Sequence, residues 1–159
     1  MNKNKGYSLI ELIVVIAILG IIVTGSIIGI GMISGRPADQ CARTLKMALA
    51  NHRLSTMGKN SAYMRIYYET DGSVWIYENL DGVESRIKAC DKGVTINVVK
   101  TGTTESLADI PAGITIQFDR YNGRFLTGSD IKYLEISKAT HKYELQFYSL
   151  TGKVSLERK

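Results

Sequence analysis

The chain has 159 residues, of which 45% are hydrophobic, and its formal net charge is +5. This length fits one modest domain behind a membrane segment. The positive excess is too small to indicate a nucleic-acid-binding stripe by itself.

A long apolar run dominates the first forty residues. No charged residue occurs from Leu12 to Ile33, a stretch that covers roughly 33 Å as a helix and can cross a hydrocarbon core. Lipid favours a helix here, because only a helix satisfies every backbone polar group within one segment. Lys3 and Lys5 precede the run and should remain cytoplasmic. Glu11 lies in its first turns, where a costly carboxylate is expected to be functional and to have a partner.

The sequence from Lys5 to Leu12, Lys-Gly-Tyr-Ser-Leu-Ile-Glu-Leu, resembles the processing site of type IV prepilins and of the related type II secretion pseudopilins. The resemblance implies that a prepilin peptidase cuts between Gly6 and Tyr7 and that the new amino group of Tyr7 is methylated. It also implies that Glu11 faces the N-terminal amine of a neighbouring subunit in a filament. Two charges that are each costly in lipid offset one another when paired.

Two simpler interpretations of this segment explain less. A cleaved secretory signal has an apolar core of roughly 7–15 residues and an A-x-A-like site after it. A plain single-span anchor explains the length of the run, but not Gly6 and Glu11 at this spacing. Tyr7 departs from the phenylalanine that the prepilin family usually has at the first mature position.

A second helical pattern follows the apolar run. Pro37 marks the expected membrane exit, and apolar side chains recur at three- and four-residue spacing from Ala38 to Met57. We therefore predict one long helix from about Tyr7 to Met57, whose outer half lies against a sheet. Cys41 and Cys90 fall in the exported part, where a disulfide is permitted and would stabilise by roughly 4 kcal/mol, although two separate buried thiols remain an alternative.

Period-two alternation replaces the helical pattern after Gly58. An antiparallel sheet of about seven strands is expected, which makes the fold class α+β. Thr101–Asp109 is polar and is predicted to be a loop. The strand candidates are Ala62–Glu69, Ser73–Glu78, Ser85–Cys90, Val94–Lys100, Ile114–Asp119, Ile131–Ser137, Lys142–Ser149 and Lys153–Glu157.

Two later stretches extend the resemblance. Residues 113–123 and 143–154 are similar to the strand-and-turn segments of the H-type pseudopilins and their FimT-like pilus relatives. The resemblance implies a pilin-like fold, in which a long N-terminal helix with a membrane-spanning first half packs on an antiparallel β-sheet. The expected organisation is a leader peptide at 1–6, the transmembrane half of the helix at 7–35 and an exported globular domain at 36–159.

The function that follows is structural rather than enzymatic. We expect a minor pilin or pseudopilin of a type IV pilus-like (fimbrial) or type II secretion filament, made as a single-pass protein of the cytoplasmic membrane with an extracytoplasmic domain. After assembly it would belong to a periplasmic or cell-surface filament. The expected partners are other pilins or pseudopilins, the prepilin peptidase, the inner-membrane assembly platform and the membrane itself.

Sequence motifs of catalysis are missing, and neither a cofactor nor a metal is expected. His52 is interpreted as a helix–sheet contact and His141 as a turn residue. Asp71-Gly72 and Asp81-Gly82 are interpreted as turn chemistry before calcium ligation, which needs more oxygen ligands than a short turn displays.

Two alternative functions remain open. A DNA-binding pilin for DNA uptake would use the basic C-terminal edge, with Lys153, Arg158 and Lys159 as contacts, although the same residues suit a solvated edge. A filament-tip adhesin would present the Thr101–Asp109 loop.

Overall fold

The computed structural model describes residues 10–18 and 36–159. The chain divides between Ser34 and Gly35 into two units, and each is described by itself. Residues 10–18 are helical. Within the described ranges no helix is both long and apolar enough to span a membrane. The predicted span from Leu12 to Ile33 and the predicted continuity from Tyr7 to Met57 lie partly outside those ranges.

Helix α1, Arg36–Thr56, opens the larger unit. Pro37 lies in its first turn, where the missing N–H costs no hydrogen bond. Gly58, with φ at +80°, follows the helix in the left-handed region that glycine adopts without strain. The buried side of α1 repeats at three- and four-residue spacing and consists of Ala38, Cys41, Ala42, Leu45, Leu49, His52 and Thr56. The prediction of Ala38–Met57 is therefore confirmed to within two residues.

Ten strands follow, and they form two five-stranded antiparallel sheets. The first sheet has the order β3-β2-β1-β6-β7 and the second has the order β10-β9-β8-β4-β5. The bounds are β1 Ala62–Tyr68, β2 Val74–Leu80, β3 Val83–Cys90, β4 Thr95–Lys100, β5 Thr104–Ser106, β6 Ile114–Phe118, β7 Phe125–Thr127, β8 Ile131–Lys138, β9 His141–Tyr148 and β10 Lys153–Arg158.

The α+β class is as expected, but the single sheet of about seven strands is wrong. The chain leaves the first sheet after Cys90, and β4 pairs with β8, whose sequence lies well downstream. Alternation identifies strands but does not identify their partners, so this division was invisible in the sequence. The two added strands, β5 and β7, have three residues each, which is too short for a recognisable alternation.

The predicted loop Thr101–Asp109 is also corrected in part. It contains β5 and a short 3-10 turn, Leu107–Asp109. Leu107 is fully buried in the core, and β5 pairs with β4. Burial of Leu107 and the pairing of β5 with β4 together fix this segment to the second sheet.

One core joins α1 to the inner faces of both sheets. Tyr68 closes the junction between the sheets at the end of β1. Its hydroxyl donates to the carbonyl oxygen of Val94 at 2.7 Å and accepts from the backbone N–H of Ile96 at 3.0 Å. Burial raises the pKa of the Tyr68 hydroxyl, so it stays protonated and can donate.

Replacement of Tyr68 by phenylalanine should lower the free energy of unfolding by about 1–3 kcal/mol, because it leaves one backbone donor and one acceptor without their partner. Chemical denaturation of the full chain measures the loss. Tyr148→Phe is the control, since its half-exposed hydroxyl contacts Ser155 only at 3.4 Å. Equal stability of the Tyr68→Phe and Tyr148→Phe variants would contradict this role.

Candidate functional site

The N-terminal motif is only partly within the described residues. Gly6 and Tyr7 lie outside them. Glu11 belongs to the helical residues 10–18, where every side chain is exposed. Ile10 is 70% exposed and Ile16 is 60% exposed. A helix with apolar side chains on all sides is suited to burial against lipid or other helices.

Cys41 and Cys90 are joined by a disulfide bond, with their Cα atoms 4.8 Å apart. The bond connects the first turns of α1 to the last residue of β3. Of the two arrangements that the sequence allowed, the structure therefore has the bridge. The two cysteines are 49 residues apart in the sequence. Closing a loop of this length stabilises the fold by about 4 kcal/mol in the chain-entropy model.

His52 makes a polar contact between α1 and the first sheet, further along the helix than the disulfide. Its ring is fully buried, and Nδ1 makes a hydrogen bond with the carboxylate of Glu78 on β2. The ring centroid lies 5.9 Å from that of Phe118. Burial lowers the pKa of His52, and the hydrogen bond with Glu78 opposes that shift. The interpretation of His52 as a helix–sheet contact is confirmed, but Glu78 as its partner was not foreseen.

A pH effect on stability follows from the lowered pKa of His52. The unfolded chain takes up the proton near the ordinary pKa of 6.5, whereas the folded chain resists it. Stability is therefore complete above about pH 6.5 and falls as the pH decreases below that value. We expect the melting temperature to fall between pH 7.5 and pH 5, and His52→Gln to weaken this dependence.

His141→Gln provides the matched control for that measurement, because His141 is the other histidine of the chain and lies at the start of β9 rather than in the core. The same pH dependence in the His52→Gln variant and in the unmodified chain would show that another group is responsible.

An array of aromatic and arginine side chains covers the outer face of the first sheet. The guanidinium carbon of Arg65 lies 5.1 Å from the ring centroid of Tyr67 and 5.3 Å from that of Tyr77. The guanidinium carbon of Arg86 lies 4.3 Å from the ring centroid of Trp75. These cation–π contacts hold Tyr, Trp and Arg, residue types that are common in protein interfaces, at the surface of the sheet. The sequence analysis missed this array, although alternation in β1 and β2 places these residues on one face.

The basic C-terminal edge is partly neutralised by nearby carboxylates. Lys153 begins β10 and Arg158 ends it. The ammonium group of Lys159 lies 3.5 Å from a carboxylate oxygen of Glu144 and 3.7 Å from one of Glu157. The three proposed DNA contacts therefore do not form a purely positive surface.

Arg158 instead shares a cleft of about 350 Å³ with Arg43 and Lys46 of α1. Asp39 also lines this cleft, and its carboxylate lies 2.9 Å from Nε of Arg43. The pairing with Asp39 raises the pKa of Arg43 further above its ordinary value. The cleft thus contains both signs of charge.

Both turn carboxylates accept backbone hydrogen bonds, Asp71 within its own turn and Asp81 from the segment that precedes β1. Asp71 accepts the backbone N–H of Ser73 at 2.8 Å, and Asp81 accepts the backbone N–H groups of Asn60 and Ser61 at 2.9 Å each. The side-chain and backbone hydrogen bonds from Ser73 lower the pKa of Asp71, and the backbone hydrogen bonds from Ser61 and Asn60 lower the pKa of Asp81. Turn chemistry is therefore confirmed for both. Among residues 10–18 and 36–159, no three His, Cys, Asp or Glu side chains are grouped as metal ligands would be.

Residues 1–27 match the model of the prokaryotic N-terminal methylation motif, which is the type IV prepilin-like signal. No curated protein and no solved structure matches the chain. The chain therefore carries a prepilin-type signal, and the subfamily is not determined by it.

Proposed function

We propose that this chain, which carries a prepilin-type methylation signal at residues 1–27, is a minor pilin or pseudopilin. It is a structural subunit of a type IV pilus-like or type II secretion filament. The match of the N-terminal segment to that signal is the observation that carries the proposal. Before assembly, the subunit resides in the cytoplasmic membrane with its globular domain outside.

The proposed mechanism uses three residues of the motif. Prepilin peptidase cuts between Gly6 and Tyr7, and the new amine of Tyr7 is methylated. The carboxylate of Glu11 then pairs with the positive N-terminal amine of a neighbouring subunit. An ion pair in a low-dielectric environment loses several kcal/mol when one partner is removed, so this contact sets the register of the subunits.

Two features of the larger unit support assembly outside the cytoplasm. The disulfide between Cys41 and Cys90 is typical of oxidising compartments. Met47 and Leu54, at 64% and 62% exposure, lie on the side of α1 opposite to its buried residues. Apolar side chains grouped at the surface are typical of a contact with another protein.

The DNA-binding alternative has less support. Lys159 already has two carboxylate neighbours, Glu144 and Glu157, and the cleft beside Arg158 contains Asp39. The adhesin alternative requires a long loop at residues 101–109. That segment is shorter as a loop than the alternative requires, because Thr104–Ser106 is a strand paired to β4.

Processing is tested by the intact mass and N-terminal sequence of the chain expressed with and without a prepilin peptidase. We expect a product that begins at Tyr7 and carries one added methyl group. Gly6→Val should block cleavage, whereas Lys3→Gln, a change in the same leader, should not. A full-length product in the presence of an active peptidase would refute the proposal.

Assembly is tested separately with variants of Glu11. Glu11→Gln should reduce incorporation into sheared filaments by at least tenfold, because it removes the charge and keeps the shape. Glu11→Asp keeps the charge and should retain part of the incorporation. Glu105→Ala removes an exposed carboxylate elsewhere and serves as the control. Unchanged incorporation of the Glu11→Gln subunit would exclude the ion pair as the determinant of assembly.

A further inference from the structure

Strand β3 is an edge of the first sheet, and its residues 83–88 are all exposed. Val83 is 73% exposed and Ile87 is 50% exposed, although the partner of Ile87 in β2, Ile76, is buried. Sheet edges in soluble domains are usually short, bulged or covered, because unpaired backbone groups recruit other strands. The pairing of β3 with β2 is bulged next to Cys90, but over residues 83–88 β3 offers an uncovered edge with two apolar side chains.

The turn before β3 determines which of its backbone groups point away from the sheet. Asp81 and Gly82 both have positive φ, at 51° and 85°, and they connect the paired residues Leu80 and Val83. This is a two-residue turn of the I′ kind, whose closing pair is hydrogen-bonded. Since bonded and non-bonded pairs alternate along an antiparallel ladder, Glu84 and Arg86 direct their N–H and C=O groups outward.

The side chains of β3 are complementary to their own reversed order around Ser85. The order from 83 to 87 is apolar, acidic, serine, basic, apolar. If a second copy lies antiparallel with Ser85 opposite Ser85, each Glu84 faces the Arg86 of the other copy. On the opposite face of the sheet, each Val83 faces the Ile87 of the other copy. Opposite charges and apolar pairs at facing positions both stabilise an antiparallel ladder.

This register is also the one that suits the backbone. It places the outward groups of Glu84 against those of Arg86, so both pairs become hydrogen-bonded pairs. A shift of the register in one direction sets Arg86 opposite Arg86, and a shift in the other direction sets Glu84 opposite Glu84. If the register is shifted by one residue, the outward N–H and C=O groups of one copy face residues of the other copy whose own groups are already bonded to β2.

We propose that two copies of this chain associate through antiparallel pairing of their β3 strands, centred on Ser85, which joins two five-stranded sheets into one continuous sheet. The contact is isologous, so it closes at two copies. Arg86 lies on the same face as Glu84, and its guanidinium stacks on Trp75 and pairs with Glu69. An arginine has five N–H donors, and those left over serve Glu84 of the second copy. The inference is independent of the proposed function.

Strand β10, the longer of the two edge strands of the second sheet, is the nearest competitor. Its residues Lys153 to Glu157 have a comparable pattern around Ser155. However, Val154 and Leu156 are half-buried and pack against the core. Pairing at β10 would therefore remove less apolar surface from water than pairing at β3.

Cysteine cross-linking of the full chain in detergent tests the pairing. An edge contact of this length is smaller than a standard interface of roughly 1,600 Å², so a method that traps a weak dimer is appropriate. Across a non-bonded pair the two Cα atoms are about 4.5 Å apart, which a disulfide can bridge. Ser85→Cys should give at least fivefold more covalent dimer on mild oxidation than either control, and peptide mass should identify a disulfide between the two introduced thiols.

The two controls are single cysteines that the proposed register keeps apart. Val83→Cys lies on the same strand and face, but its counterpart is four residues away, roughly 13 Å. Ser155→Cys reports pairing at β10. A yield for Ser85→Cys no higher than for Val83→Cys, or a dominant Ser155→Cys dimer, would overturn the proposal.

A charge exchange, measured by sedimentation of variants that carry no added cysteine, tests the register independently. Arg86→Glu and Glu84→Arg should each weaken the dimer at least fivefold, since each sets like charges face to face. The double variant, with Glu84→Arg and Arg86→Glu together, should restore it, and circular dichroism should show that all three remain folded. Failure of the double variant to restore the folded dimer would refute this register.

Discussion

The packing of α1 against both sheets is the constraint on which the rest of the larger unit depends. Its buried side belongs to the same core as the inner faces of both sheets. The disulfide from Cys41 holds its beginning to β3, and the buried contact between His52 and Glu78 holds its later turns to β2. Two different chemistries therefore fix one helix to the first sheet, and apolar packing fixes it to the second.

A third attachment uses backbone rather than side-chain partners. Nε of Arg53 donates to the carbonyl oxygen of Gly123 at 2.8 Å. A Cβ atom at Gly152 would lie 1.7 Å from that same oxygen, so only glycine permits this approach. The backbone N–H of Phe125 also donates to the backbone carbonyl oxygen of Ser149 at 3.3 Å. The two glycine turns are thus the point where α1 and the two sheets meet.

The two proposed modes of association have different symmetry and use different surfaces. Pairing of Glu11 with a neighbour's amine is head-to-tail, so it can repeat along a filament. Pairing through β3 is closed, because each copy contributes the same strand. Exposed apolar residues occur on both of these elements. Met47 and Leu54 lie on α1, and Val83 and Ile87 lie on β3.

The sequence by itself determined the prepilin-type signal, the α+β class, and the bounds of α1 and the longer strands to within two residues. Each of these depends on residues that are close in the chain, through motif spacing, helical period or alternation. Only the tertiary structure decided that β4 pairs with β8, that Glu78 meets His52, and that Arg86 stacks on Trp75. Those choices join distant segments, and they are made by packing against α1 and the common core, which no local pattern encodes.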